Sequence, residues 1–194
     1  MQERITPELV LHGYRVGVFP MADDDGTIWW YSPDPRCVFE YERFHVPHGL
    51  RRVLRRQPFE IRLNTAFDEV IAACARRAEG TWISEEIQAL YGELHRRGYA
   101  HSLETWRDGA LVGGLYGVAI GGAYFGESMF HRVTDASKVA LVALMEHLRR
   151  RGYVLIDTQW STPHLERFGA VEIPRAEYLE RLERALGMEC VFGG

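Results

Sequence analysis

The sequence predicts an α+β protein: a small N-terminal α/β domain over residues 1–57, then a larger α/β domain over residues 58–194. Three observations predict it. Residues 122–159 hold an apolar, glycine-edged run ending in Gly126-Glu127-Ser128, a segment with helical spacing, and a second apolar run, Tyr153-Val-Leu-Ile-Asp157. That is a parallel βαβ unit, whose crossover is normally right-handed. From Phe59 onward helical and strand patterns alternate, whereas residues before Gln57-Pro58 read as short aromatic and basic pieces. Asp108-Gly109 joins two apolar runs, and Asp-Gly is a preferred tight hairpin turn.

Thr6-Pro7-Glu8 has an N-cap followed by proline at the first helical position, and Leu9, Val10 and Tyr14 give that helix an apolar face up to Gly17. Phe19-Pro20 and Asp23-Asp-Asp-Gly26 mark turns. Three adjacent aromatics, Trp29, Trp30 and Tyr31, precede a proline-bracketed turn that must leave the helix. Cys37–Tyr41 is a short strand, and His48–Arg56 is a helix with Arg51, Arg52, Arg55 and Arg56 around Val53 and Leu54. After the boundary, Phe59–Leu63 is a strand, and Asn64 is expected to cap a helix running to about Gly80. Ser84 opens another helix, stopped by Gly98. The hairpin spans Ala100–Trp106 and Ala110–Val118, and a third strand spans Gly122–Gly126. The central helix has apolar residues at Val139, Leu141, Val142, Leu144, Met145 and Leu148, with Asp135 at its cap. A short helix at Pro163–Phe168, a strand at Ala170–Ile173 and a last helix at Arg175–Leu186 complete the chain. Strand, two helices, three strands, helix, strand, helix, strand is the order of the GNAT acyltransferase fold, an analogy that fixes no chemistry.

Composition narrows the classes. No apolar run approaches the roughly 20 residues of a membrane span, and MQERITPELV has no signal-peptide pattern, which implies a cytoplasmic protein. The 3 cysteines, Cys37, Cys74 and Cys190, are far apart and read as inert thiols rather than a disulfide framework or zinc knuckle. The histidines lack ligand spacing, so no metal is expected. A formal charge of −4 does not by itself favour nucleic acid, and distribution matters more.

Ligands in parallel sheets gather at the carboxyl ends of strands. Glu127 lies at one such end, and Asp157 and Gln159 at the other, on one face by alternation. Two carboxylates and an amide there could orient an amine, accept its proton and hydrogen-bond a developing oxyanion, or could form a satisfied structural pair. The segment Met129–Asp135 contains no glycine and ends in a carboxylate, unlike the glycine-rich loops that hold pyrophosphate at a helix N-terminus. This argues against coenzyme A. Most arginine clusters read as solvated helix faces; the four on His48–Arg56, beside tryptophans able to stack on unpaired bases, suit RNA.

At the blocks GVFP (17–20), IWWYSPDPR (28–36), EGTWIS (79–84), HSLETW (101–106), LVGGLYGVA (111–119), GESMF (126–130), DASKVAL (135–141), LIDTQ (155–159) and GAVEIPRAEYL (169–179), the chain resembles the leucyl/phenylalanyl-tRNA–protein transferase family. The resemblance implies a leucyltransferase-type aminoacyltransferase. It moves Leu, Phe or Met from aminoacyl-tRNA to proteins beginning with Arg or Lys, as in N-end rule degradation, acting as a monomer without a cofactor. It implies that Gln159 contacts the incoming amine, Asp157 polarises it and Glu127 holds substrate amino groups. The donor side chain would enter a pocket of Leu115, Tyr124, Met129, Leu141, Leu144, Leu148 and Ile156. Trp30 and Trp82 would lie near the terminal adenosine, and Arg52, Arg55 and Arg56 on the acceptor stem. Relative to the family pattern the stretch ahead of GVFP is short, Leu144 and Leu148 replace frequent phenylalanines, and Thr162 replaces a common Asn. Two rival readings are an acyl-CoA-dependent GNAT-type N-acyltransferase and a non-catalytic RNA-binding module.

Overall fold

A computed structural model describes residues 5–23, 25–76 and 81–193. The N-terminal part comprises α1 (Pro7–Arg15), the hairpin β1 (Phe19–Ala22) and β2 (Ile28–Tyr31), β3 (Arg36–Phe39) and α2 (His48–Arg56). Then follow β4 (Glu60–Leu63), α3 (Phe67–Ala75), α4 (Glu85–Arg96), β5 (Ala100–Arg107), β6 (Ala110–Ile120) and β7 (Ala123–His131). The chain continues through α5 (Ala136–Arg150), β8 (Leu155–Gln159), α6 (Pro163–Glu166), β9 (Val171–Ile173) and α7 (Arg175–Leu186).

Seven strands form one sheet in the order β4-β5-β6-β7-β8-β3-β9, while β1 and β2 pair apart from it. Every neighbour in the large sheet is antiparallel except β7 and β8, the parallel pair joined through α5. From β4 to β9 the elements follow the expected order along the chain: strand, two helices, three strands, helix, strand, helix, strand. Strand β3 differs from expectation: it comes from the first 57 residues, yet it fills the gap between β8 and β9. An all-apolar Cys37-Val38-Phe39 run, buried on both faces, can only be satisfied inside a sheet.

Alternation along the strands divides the interior in two. Phe125, Leu155, Tyr116 and Val118 join residues of α1, α3, α4 and α7 on one face. Tyr124, Ile156, Leu115 and Ala119 join α5, Leu50 of α2, Phe168 and Phe192 on the other. Local signals placed most helix ends: the Thr6 and Ser84 hydroxyls accept from Leu9 N and Ile87 N. Asp108 and Gly109, both at positive φ, make the tight hairpin turn.

Three local expectations fail. Asn64 does not cap α3; the buried Glu104 carboxylate of β5 accepts from Thr65 N and Ala66 N, each at 2.9 Å. Asp135 precedes α5 at φ 68° without capping it, and its Oδ1 pairs with Lys138 Nζ at 2.7 Å. Strand β7 runs on to His131, so the glycine-free segment begins as strand and only its second part, residues 132–135, is loop. The expected end of α3 near Gly80 lies outside the described residues, where α3 is seen to Ala75. Among the described residues no helix is long and apolar enough to cross a membrane.

Candidate active site

The site lies where β7 and β8 part. They pair from Ala123↔Leu155 to Phe125↔Asp157 and no further, although β7 continues beside β6 and β8 beside β3. Each strand carries an irregularity just past the fork. Gly117 faces Gly126 and Tyr116 faces Ser128, so Glu127 is an extra residue with no partner opposite. Val38 faces Asp157 and Cys37 faces Gln159, so Thr158 is skipped likewise. Bulges of this kind re-aim side chains. A Cβ at Gly117 would stand 2.3 Å from the Phe125 carbonyl oxygen, so the strand opposite the first bulge admits only glycine.

The expectation that Asp157 and Gln159 share a face by alternation needs correction. Gln159 sits at φ 62°, left-handed, so the period-two rule stops at Thr158. Asp157 instead turns inward, 0% exposed, and is saturated with donors. Its Oδ1 accepts from Arg36 Nε and from Gln159 N, both at 2.9 Å; its Oδ2 accepts from Arg36 Nη2 at 2.6 Å and the Tyr178 hydroxyl at 2.8 Å. Arg36 also donates to the Gly17 carbonyl at 3.1 Å and lies over the Tyr178 and Phe19 rings. All four of these donors are protein groups, and one of them is the backbone N–H of Gln159.

Glu127 has a different environment. Tyr14 of α1 donates to Oε1 at 2.7 Å, Tyr91 of α4 approaches Oε2 at 3.4 Å, and the two tyrosine hydroxyls bond each other. Gln159 Nε2 lies 3.4 Å from Oε1, joining amide to carboxylate. Burial pushes the Glu127 carboxyl up to about 8; the Tyr14 hydrogen bond opposes this and the Asp157 charge adds to it. The neighbouring phenols are held neutral, raised by burial and then by the Glu127 charge.

A cavity of about 990 Å³ opens over the fork. Its apolar end is lined by Phe39, Leu115, Tyr124, Met129, Leu141, Leu144, Ile156 and Leu165, and its polar end by Glu127, Asp157 and Gln159. Six of the seven residues expected in the apolar pocket line it. Leu148 does not: it lies one turn beyond Leu144 on the same helical stripe, 0% exposed in the core. Trp82 and Thr162 line the cavity, whereas Trp30 does not. The Trp30 ring covers Gly13 of α1, where a Cβ would come within 2.3 Å of it, so this tryptophan joins β2 to α1. Arg52, Arg55 and Arg56 are exposed on α2 and do not line the cavity; among the described residues none makes an ion pair.

The sequence reading missed several groups. Arg36, Tyr14, Tyr91 and Tyr178 are scattered along the chain and gave no local pattern. One signal existed: a carboxylate within the buried run Leu155-Ile156-Asp157 requires a partner. Trp160, 42% exposed, meets Phe19 and Tyr31 edge-on at 5.1 and 5.8 Å, forming an aromatic rim. Arg76, His131, Arg132 and His164 supply basic groups to the cavity wall. Burial lowers His164, followed by the Lys138 charge.

The arrangement presents an apolar slot, a neutral-to-anionic carboxyl group and an oriented amide at one fork. It suits an amine attacking an already activated acyl group. The family described as "Leucyl/phenylalanyl-tRNA protein transferase" matches residues 38–183, and its N-terminal domain matches residues 3–34. A leucyl/phenylalanyl-tRNA–protein transferase of Akkermansia muciniphila is 56% identical over 190 residues, covering 96% of this chain and 98% of that protein. Those of Herpetosiphon aurantiacus and Gloeobacter violaceus are 55% and 57% identical, covering 99% and 97% of this chain and 100% and 97% of their own. Among solved structures, L-PGS from Bacillus licheniformis aligns at TM-score 0.48 and 10% identity, covering 80% of this chain and 66% of that one.

Proposed function

The chain belongs to the leucyl/phenylalanyl-tRNA–protein transferase family, and from that premise we propose how its cavity carries out aminoacyl transfer from tRNA to proteins. The donors are Leu-, Phe- or Met-tRNA and the acceptors are proteins with N-terminal Arg or Lys, as in N-end rule degradation. One observation carries this reading: the apolar slot and the Glu127–Gln159 pair meet at the β7–β8 fork. The acyl-CoA alternative is not favoured.

The donor's side chain fills the slot between β6, β7 and α5. Burying one apolar side chain contributes about 1.5–3 kcal/mol, enough to prefer Leu or Phe to small residues. Separation of Leu from Met is slight, because a methylene-sized difference is worth about 1–3 kcal/mol. The terminal adenosine lies against the rim of Trp82, Trp160 and Tyr31, and Arg76 and Arg132 face the nearby phosphates. Arg52, Arg55 and Arg56, on the exposed face of α2, meet the acceptor stem.

The acceptor's N-terminal amine approaches Glu127 and Gln159. Its nitrogen attacks the ester carbonyl carbon, a C–N bond forms, the C–O bond to the tRNA ribose breaks, and the amine's proton passes to the ribose oxygen. Gln159 orients the amine. Asp157, already saturated, is a positioning residue acting through the Gln159 N–H. Glu127 attracts the cationic acceptor, whose charge favours the carboxylate form. An aminoacyl ester is already activated, so proximity supplies most of the acceleration.

The test is transfer of radiolabelled Leu or Phe from charged tRNA to an N-terminal-Arg peptide. Transfer to Arg- and Lys-initiated peptides and not to an Ala-initiated one is the expected result; micromolar binding of acetyl-CoA without tRNA-dependent transfer would sink the reading.

A further inference from the structure

Behind the apolar slot the tail after α7 does something the transfer chemistry does not require. Helix α7 packs on the α1/α4 face of the sheet, through Tyr178, Leu182 and Ala185. The chain then rounds the β6–β7 turn, where Gly122 N donates to the Ala185 carbonyl at 2.7 Å and Met188 covers Gly122. It arrives on the opposite face, where Cys190 Sγ approaches the Gly152 carbonyl at 3.4 Å and Phe192 is buried to 3% exposure. His147 Nε2 donates to the Phe192 carbonyl at 2.7 Å, which locks the tail to α5.

The Phe192 ring is enclosed by aromatic rings. It stacks on His101 at 4.2 Å and on Tyr124 at 5.7 Å with planes 19° apart, and meets His147 at 4.7 Å. Tyr124 in turn lines the cavity, 0% exposed, and its hydroxyl has no hydrogen-bond partner among the described residues. No hydrogen bond therefore fixes how deep the Tyr124 ring sits. Packing fixes it, and Phe192 is the aromatic ring stacked on it.

We propose that Phe192 is the backstop of the donor slot: it sets slot depth through Tyr124 and so sets which donor side chain fits. The inference rests on the reading of the apolar slot as the donor site. Without Phe192 the Tyr124 ring retreats into the vacated space, and the slot becomes too deep for Leu and better matched to Phe. Interiors are packed densely enough that a vacancy of this size is partly filled by its neighbours.

The experiment measures kcat/KM for Leu-tRNA and Phe-tRNA with one Arg-initiated acceptor, in wild type, Phe192→Ala, Phe192→Leu and Val70→Ala. Val70 is buried on the other face and serves as a reference for lost core packing away from the slot. In Phe192→Ala the Phe-to-Leu ratio rises about tenfold, as one poorly filled methylene or more predicts, and the change lies in KM for Leu-tRNA. Phe192→Leu, which keeps an apolar plug, moves the ratio in the same direction by less. Val70→Ala lowers both donors together. Equal losses for the two donors in the Phe192 variants, matching Val70→Ala, would overturn the proposal and leave a purely structural tail. Absence of transfer by the wild type from either donor would instead overturn the donor-site reading itself.

Discussion

Gln159 and Asp157 stand two residues apart, and the structure gives them opposite sensitivities. Asp157 is a buried charge paired with Arg36, whose side chain is 1% exposed. Removing one partner of such a pair leaves the other uncompensated and costs about 3–5 kcal/mol. Asp157→Asn should therefore lose stability in urea unfolding together with transfer. Gln159→Gly should lose transfer alone: the left-handed backbone costs a non-glycine residue about 1–2 kcal/mol, which offsets glycine's entropic penalty. A Gln159→Gly enzyme that unfolds as readily as Asp157→Asn would contradict the division between positioning and contact. Glu127 makes a prediction about pH. Its folded value of about 8 lies above the 4.5 of a free glutamate, so the folded state binds the proton more tightly. Stability from this group is full below about 4.5, falls as pH rises between 4.5 and 8, and is level above that. Glu127→Gln removes the titration, so its melting temperature should gain on that of wild type as pH rises from 5 to about 8 and hold its margin above that. A constant margin across that range would show that Glu127 does not titrate there.

At the scale of elements, what the sequence made legible was whatever local rules control. Hydrophobic period, N-caps and the Asp-Gly turn located α1, α4, the β5–β6 hairpin, α5 and α7 within a few residues. What failed depends on residues far apart in the chain. The turn that leads into α3 is held by Glu104, far along the chain, because β5 pairs with β4 and brings its carboxylate under Thr65 and Ala66; the helix itself has no side-chain cap. The two bulges are equally invisible, since Glu127 and Thr158 carry nothing that distinguishes them from regular strand residues. Glu127, Asp157 and Gln159 could be chosen from strand-end logic; the fork that aims them, and Arg36 that fixes them, could not. Glu104 is itself testable. It also accepts from Ser102 Oγ at 2.8 Å, Trp106 Nε1 at 3.1 Å and the Thr65 hydroxyl. Burial alone would raise its carboxyl, but these hydrogen bonds, Thr65 first, bring it below the ordinary range. Its contribution is present above the unfolded value and is lost as pH falls through the lower folded one. Glu104→Ala strands several buried donors and should cost at least about 3 kcal/mol near neutrality, with the deficit shrinking toward acid pH. A deficit that does not shrink in acid would mean the carboxylate is not the stabilising form.

For the whole molecule, net charge and charge placement point in opposite directions. A formal −4 should repel RNA on average, yet part of the acidic set is committed to arginine partners. Glu93 holds Arg96 and Arg97, Glu60 holds Arg62, and Glu40 and Glu177 hold Arg181. These pairs neutralise arginines on surfaces away from the cavity. Arg52, Arg55 and Arg56 make no such pair among the described residues, and α2 seats Leu50 in the core beside α5 while leaving them in solvent. Strand β3 ties the same N-terminal stretch into the sheet beside β8, so α2 is attached to the element that carries Gln159. Exposed cations on a rigid support fit phosphate contacts made at a fixed distance from the chemistry. Each phosphate neutralised adds about 0.7–0.9 to the slope of log affinity against log salt. Replacing all three arginines with alanine should therefore reduce that slope by about 2–3 and weaken tRNA binding most at low salt. With saturating tRNA the transfer rate should stay close to wild type, because none of the three lines the cavity. Filter binding across a salt series, with single-turnover transfer at saturation, separates the two quantities. An unchanged slope would remove α2 from the tRNA surface and leave Arg76 and Arg132 at the cavity as the phosphate contacts.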